Sequence, residues 1–424
     1  MQLTPQEAFL LHTIGDVCER HLGALRGGAR IGVAVSGGSD SCALLHLMQL
    51  WAQKVGVTLS AVTVDHGLRK AAVEEAKTVA KTCAGLGVEH TVLKWADWDG
   101  KGNLQDQARQ ARYRLMAQWG APRGISTIAL GHTLEDQAET FLMRLARGSG
   151  VDGLSGMAQL YTSAGIDWLR PVLLLERQHL RDYLSRHQIG WIEDPSNQDE
   201  RFDRVKARKI LKVLAPLGID AARLASTASA LQPARQALEV QTQAAARQMV
   251  TVQAADVVFD PVGFGGLHPE IQSRLLSHAL RWVSSSRYPP RRAALQDLQA
   301  AVLAGKSSTL HGCRIITKTS EIRIGREYQA IKDMSCATGV IWDRHWQLSG
   351  PDANDFEIRA LGAAGLLLCP DWRAAELPRI SLLASPAVWQ NQTLIAAPLA
   401  RLGNEWQATA RFGLDHFISS LLSH

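Results

Sequence analysis

The chain has 424 residues, 46% hydrophobic and 20% charged, with a formal net charge of +6. That length predicts two or three domains of ordinary globular composition, and the mild basic excess permits a nucleic-acid partner without demanding one. Six cysteines, at 18, 42, 83, 313, 336 and 369, form no C-x-x-C pair. Neither a zinc site nor a disulfide framework is therefore indicated, and a reducing cytoplasm fits. Met1-Gln-Leu-Thr-Pro-Gln-Glu lacks the basic and apolar regions of a signal peptide. No apolar run approaches the roughly 18 residues that a membrane-spanning helix needs.

In chain order, residues 6–25 carry the pattern of an amphipathic helix, and residues 31–35 read as a buried strand. Leu44, Leu47, Met48 and Trp51 then recur at helical spacing. Between strand and helix lies Ser36-Gly37-Gly38-Ser39-Asp40-Ser41. Two glycines allow a sharp turn and a close backbone approach, and the unpaired amides of a helix start favour an anion. The turn reads as a phosphate cradle, or more simply as a capped helix start. It is not the common P-loop, which needs a lysine before its Ser/Thr. A carboxylate at residue 40 would repel phosphate unless it serves something else, most simply a bound Mg²⁺.

A second strand at 59–64 ends in Asp65-His66-Gly67. A helix at 71–85, a strand at 90–95, a loop at 97–104 and a helix at 105–119 follow. A fourth strand at 126–130 ends in Gly131-His132. Strands alternating with helices predict a doubly wound α/β fold with a parallel sheet. If the fourth strand lies beside the first, the two strand-end motifs face one crevice, where ligands bind in such sheets. A helix from Thr133 puts Asp136 and Glu139 one turn apart; they either complement the helix dipole or grip a cation. A helix at 176–187 precedes a turn-rich loop at 191–199 and a basic run, Arg201, Arg204, Lys206, Arg208, Lys209 and Lys212. That run is either a solvated face or a phosphate-contacting one.

A boundary is expected near 215–218, followed by long helical patterning from 220 to 250, a strand at 257–259 and helices at 268–283 and 291–304. Tyr288-Pro289-Pro290-Arg291-Arg292 announces the last of these. Residues 310–325 alternate as a hairpin and 327–339 look like a linker. Residues 340–424 suggest a small β-rich domain with a final helix from about 413. No internal repeat stands out.

The six-residue turn resembles the signature of the PP-loop, or N-type, ATP pyrophosphatases. With Val64-Asp-His-Gly-Leu-Arg69, Ala111-Arg112-Tyr113-Arg114, Leu130-Gly-His132 through Gly150, Arg170-Pro171 and Glu193-Asp-Pro-Ser-Asn197, the ordered set resembles the tRNA(Ile)-lysidine synthetase family. The resemblance covers about 1–215 strongly and extends more weakly through Pro290-Arg-Arg292 and Leu310-His-Gly312. Thr133 stands where the family usually has a second histidine, and Glu135 where it has an aspartate; the basic residues after Asn197 are also arranged differently.

The resemblance implies a PP-loop catalytic domain at 1–215, a mostly helical tRNA-binding domain at 216–326 and a β-rich domain at 340–424. It implies ATP-dependent conversion of the wobble cytidine of a CAU-anticodon tRNA(Ile) to lysidine, with ATP and Mg²⁺ as cofactors, and tRNA and free lysine as partners. No membrane partner is expected, and the oligomeric state is left open, a homodimer being one option. Ser36, Gly37, Gly38, Ser39, Asp40 and Ser41 would bind ATP, with Asp40 also as metal ligand. Asp40, Arg112 and His132 are the implied catalytic residues; Asp136 and Glu139 would bind the ammonium of lysine. Arg201, Arg204, Arg208, Arg291 and Arg292 are assigned to tRNA. The alternatives are another PP-loop enzyme, such as a tRNA thiolase or amide-forming synthetase, or a non-catalytic RNA-binding protein. Sulfur transfer generally needs suitably placed cysteines.

Overall fold

The computed structural model describes residues 4–23, 28–67, 72–96, 98, 104–193, 199, 201–351 and 355–422. Leu68, Arg69, most of the loop expected at 97–104 and residues 194–197 of the second turn motif lie outside them. The chain divides into two compact units, Met1–Gln236 and Ala237–Leu422.

The first unit begins with α1 (Pro5–Leu22), opened by a capping box in which Thr4 and Glu7 satisfy each other's backbone amides. Then follow β1 (Arg30–Ala34), α2 (Ser39–Val55), β2 (Thr58–Asp65), α3 (Ala72–Gly85), β3 (Glu89–Lys94), α4 (Leu104–Gly120) and β4 (Thr127–Ala129). Next come α5 (Leu134–Ala146), α6 (Val151–Leu154), β5 (Leu160–Ser163), β6 (Ile166–Leu169), α7 (Arg177–Arg186) and α8 (Asp203–Leu214). The sheet order is β3-β2-β1-β4-β6-β5. Every pairing is parallel except the edge hairpin of β5 with β6.

This is the expected α/β arrangement, with β4 beside β1 in the register Ile31↔Thr127 and Val33↔Ala129. Strand periodicity sorts the side chains between two cores. Ile31 and Val33 of β1 and Leu59 of β2 pack with Leu10 and Ile14 of α1, Leu44 and Met48 of α2 and Leu180 of α7. On the other face Val62 of β2 packs with Met116 and Trp119 of α4, Ile128 and Trp168. Each fully buried side chain of this size contributes about 1.5–3 kcal/mol. The hairpin of β5 and β6 was not separately indicated in the sequence, because both strands are only four residues long.

The division between the units falls within α9 (Ala221–Met249). The second unit continues with β7 (Val250–Gln253), β8 (Asp256–Phe259), α10 (Pro261–Gly265), α11 (Pro269–Ser284), α12 (Arg292–Leu303), β9 (Ser308–Leu310), β10 (Cys313–Thr317) and β11 (Ile322–Arg326). Its antiparallel sheet runs β7-β8-β11-β10-β9. Leu275, Leu276 and Leu280 of α11 pack against Ile315, Ile324 and Phe259.

Residues 327–339 are not simply a linker: they hold α13 (Tyr328–Ile331) and β12 (Ser335–Ala337). The strand pairs with a later element, a long-range contact that local composition does not reveal. Beyond it lie β13 (Trp346–Ser349), β14 (Glu357–Ala360), α14 (Gly362–Leu367), α15 (Arg379–Leu383), β15 (Pro386–Gln390), β16 (Thr393–Ala396), β17 (Gln407–Ala410) and α16 (Leu414–Ser420). The β-rich tail is thus a sheet of order β12-β14-β15-β16 and a pair of β13 with β17.

A Cβ at Gly32, in the middle of β1, would meet Ile128 at 2.9 Å and Trp119 at 3.1 Å. Gly32→Val should therefore overpack the β1–β4 seam and lower stability by about 1–3 kcal/mol, read as a lower urea midpoint at unchanged slope.

Candidate active site

The strand β1 delivers the chain into residues 36–41, and Gly38 is the N-cap of α2, with no side chain on the helix's first amides. Gly37 has φ +88°, and a Cβ there would lie 2.6 Å from Ile192 Cδ1. Its carbonyl accepts the Ile192 amide at 2.8 Å. Only glycine meets both the left-handed backbone and the close approach. Ser41 Oγ accepts the Ser36 amide at 3.1 Å and donates to the Gly38 carbonyl at 3.0 Å, so this hydroxyl braces the turn from within. Ser39 Oγ donates to Asp40 Oδ1 at 3.0 Å. The first amides of α2 are left to face an anion.

The ends of β1 and β4 meet here. A Cβ at Gly131 would sit 3.2 Å from the Asp40 carbonyl and the Ser41 Cα. This contact sets α5 beside the turn. Thr133 caps α5, and Asp136 closes the capping box by accepting the Thr133 amide at 2.9 Å.

Asp136 is not left as a simple cap. Its Oδ1 lies 3.3 Å from Arg204 Nη1 and its Oδ2 3.5 Å from Arg177 Nη2. Arg177 Nε in turn donates to Asp40 Oδ2 at 2.8 Å. Glu139 is fully buried, and its Oε1 accepts from Arg208 Nε at 2.6 Å. Its Oε2 is buried without a hydrogen-bond partner. Burial raises the Glu139 carboxyl, against the pull of Arg208, and burial likewise raises Asp40 against Arg177. Burial works on Asp136 too, yet Arg204, Arg177 and the Thr133 amide help hold it below the usual carboxylate range.

Two histidines position two further arginines. Arg112 of α4 directs Nε and Nη2 at His66 Nε2, at 3.3 and 3.0 Å. His66 must accept there, so its proton is placed on Nδ1. Burial and the Arg112 charge push His66 down to about 4. His132 Nδ1 accepts from Arg170 Nε at 3.2 Å, and burial with the Arg170 charge pushes His132 down to about 3. Arg170 also donates to the Ala158 carbonyl at 2.6 Å and lies 4.5 Å from the Tyr161 ring centroid.

The structure thus gathers residues 36–41, His132, Asp136 and Glu139 at the ends of β1 and β4. Arg112 stands with His66 at the end of β2. Of the five arginines assigned to tRNA, Arg204 and Arg208 bond the two acids, and Arg201 pairs with Asp199 at 2.6 Å. Arg291 and Arg292 are exposed at the start of α12, in the second unit. Sequence reasoning missed Arg177 and Arg181, although both lie on the helix it did expect. Arg181 Nε is 3.5 Å from Ser39 Oγ. Their only sequence signal is the spacing of two arginines one turn apart at the start of α7.

Among the described residues no cluster of three or more His, Cys, Asp or Glu could hold a metal ion. The lone Asp40 carboxylate suits Mg²⁺ carried in on phosphates, since that ion is commonly bound by one or two carboxylates plus substrate oxygens. The same residues offer no resident cage.

A family model described as a PP-loop domain matches residues 12–214. A tRNA(Ile)-lysidine synthase of Ruegeria pomeroyi is 48% identical over 395 residues, covering 93% of this chain and 94% of that protein. A tRNA(Ile)-lysidine synthase of Wolbachia pipientis wMel is 36% identical over 357 residues, covering 82% of this chain and 81% of that one. Among solved structures, a U34-tRNA thiolase from Methanococcus maripaludis is similar over 53% of this chain and 79% of its own, at 16% identity and a TM-score of 0.46.

Both site histidines titrate below their unfolded value of 6.5. Below pH 6.5 the unfolded chain binds protons that the folded one refuses, so their contribution to stability is present above 6.5 and is lost as pH falls toward about 4 for His66 and about 3 for His132. His66→Asn keeps an acceptor for Arg112 but cannot ionise. Thermal unfolding between pH 7 and 4.5 should show the wild type losing stability relative to this variant as pH falls; parallel curves would show His66 to be an ordinary exposed histidine.

Proposed function

This chain belongs to the tRNA(Ile)-lysidine synthase family, an ATP-dependent ligase family, and we propose that it joins lysine to C2 of the wobble cytidine of a CAU-anticodon tRNA(Ile) through an adenylated base. In the first step the C2 oxygen attacks the α-phosphate of ATP. A C2–O–P linkage forms, the bond to the β-phosphate breaks, and pyrophosphate leaves. In the second step the lysine side-chain nitrogen attacks C2, the C2–O bond breaks with AMP as leaving group, and the nitrogen gives up a proton.

The residues fit these demands. The free amides of α2 and the hydroxyls of Ser36 and Ser39 hold the triphosphate, while Ser41 braces the turn. When bound with ATP, Mg²⁺ would be held by Asp40 and would offset charge on the phosphates. Arg112, fixed by His66, faces charge that develops on the base or the adenylate. His132, just after β4, neutral and accepting from Arg170, orients that arginine at the end of β6.

The observation that carries the lysine assignment is Glu139. A buried carboxylate oxygen with no hydrogen-bond partner is costly, and an ammonium is the group that satisfies it. Asp136, one turn away, supplies the second charge. A free lysine amine has a pKa of about 10.4 and must lose its proton to attack. Glu139, whose carboxyl burial has raised, is the better of the two acids to take it. A sulfur-transfer reading is disfavoured by Cys42, whose thiol is buried, donates to the Gly37 carbonyl at 3.3 Å and is pushed up to about 11.

For the tRNA we assign the exposed Arg291 and Arg292, with Arg201, to backbone contact. Residues 216–326 and 340–424 would carry the recognition of the tRNA body. Arg204 and Arg208 are spoken for by the acids until a substrate replaces them there. Anticodon-loop bases are accessible without opening a duplex. The reaction belongs in the cytoplasm, and among the described residues no helix is long and apolar enough to cross a membrane.

Incubation with ATP, radiolabelled lysine and CAU-anticodon tRNA(Ile) should put label into tRNA and release AMP. AMP formation with ammonia or sulfide, and no lysine label, would overturn the reading. Glu139→Gln should raise the KM for lysine about tenfold to a hundredfold, as expected for one lost charge-assisted hydrogen bond. Replacing Arg291 and Arg292 together by Ala should weaken tRNA binding and reduce the slope of log K against log salt by roughly 1 to 2; an unchanged slope would remove them from the interface.

A further inference from the structure

An acid inside a phosphate-binding turn is a contradiction that the structure resolves with α7. Asp40 is the second residue of α2, at the end where the dipole and free amides invite an anion. Its Oδ2 is held by Arg177 Nε at 2.8 Å, and both side chains are only 20% exposed. The same guanidinium reaches Thr133 Oγ1 at 3.3 Å and Asp136 Oδ2 at 3.5 Å. It therefore spans the loops that end β1 and β4.

The arginine is itself held from behind. Its backbone amide, the first of α7 and without an intrahelical partner, donates to both carboxylate oxygens of Glu135 at 3.0 Å. Leu134 donates its amide to the Leu175 carbonyl at 3.0 Å, tying the start of α5 to the approach of α7. Arg181, one turn on, reaches Ser39. Glu135, which departs from the family's usual aspartate, thus has a task of its own on α7 rather than on a ligand.

We propose that Arg177 is a positioning residue, a built-in counter-ion that holds Oδ2 of Asp40 toward α5 and offsets the carboxylate's charge, so that the turn can accept a triphosphate. Glu135 anchors its backbone for that purpose. The inference rests on residues 36–41 being the triphosphate site, and it leaves the identity of the nucleophile aside.

The test is a double-mutant cycle on the full chain, read as equilibrium binding of a fluorescent ATP analogue without Mg²⁺. Arg177→Gln should weaken binding at least tenfold, because a bare carboxylate then faces the phosphates. Adding Asp40→Asn to that variant should recover at least threefold, and Arg177→Lys alone should bind close to wild type. A residue that merely supports the fold gives no such recovery, so a double variant that binds as weakly as Arg177→Gln, or more weakly, overturns the proposal. The same cycle is read in thermal unfolding without nucleotide: the double variant should melt above Arg177→Gln, and a double variant that melts no higher also counts against the counter-ion role. Neither readout uses lysine or tRNA, so a protein that failed to form lysidine could still pass this test, and the reverse.

Discussion

One guanidinium shared by two carboxylates holds the active-site region of the first unit together. Asp40 comes from the loop after β1 and Asp136 from the helix after β4, and Arg177 bonds both. Each acid alone would be an expensive group to bury so close to another of the same sign. The shared arginine makes the pair tolerable and fixes the distance between the two loops. The backbone approach of Gly131 to Asp40 and Ser41 leaves no room for a side chain in that seam. Charge and close packing thus specify the same geometry.

The network continues outward in alternating sign. Arg204 bonds the other oxygen of Asp136, and Arg208 bonds Glu139. These arginines stand on α8, packed on α5 through the cluster of Ala138, Phe141, Leu224 and Ala228 with Leu211. The acids are therefore preorganised by the protein's own cations. On the reading proposed above, the ammonium of lysine would share or replace them, a compact charge being easier to admit there than a second planar guanidinium. Glu139 Oε2, by contrast, is buried without a hydrogen-bond partner.

The second unit rests on a different principle. Asp256 of β8 is buried, bonded to Arg323 at 3.2 Å and to Ser381, and sits where a side chain at 325 would lie, since a Cβ on Gly325 would come within 2.4 Å of it. Arg326 binds Asp343 with two hydrogen bonds, at 2.7 and 3.2 Å. The contacts to Ser381 and Asp343 join the five-stranded sheet to residues of the β-rich tail, and the pairing of β12 with β14 gives 327–339 its defined structure. Arg291 and Arg292, by contrast, are exposed at the start of α12.

The sequence by itself determined the strand–turn–helix order of the first unit, the glycine-rich turn at residues 36–41 and the spacing of Asp136 and Glu139. These are local properties: periodicity, glycine content and one helical turn are readable without knowing what lies across the fold. The resemblance then supplied the reaction class, which no local pattern contains. Only the tertiary structure decided which charges meet. Arg177 is 137 residues from Asp40, and Arg208 is 69 from Glu139. A basic run looks the same in sequence whether it faces solvent, RNA or a buried acid. The choice depends on desolvation and on partners brought in by the β1–β4 pairing, and those exist only once the sheet has formed.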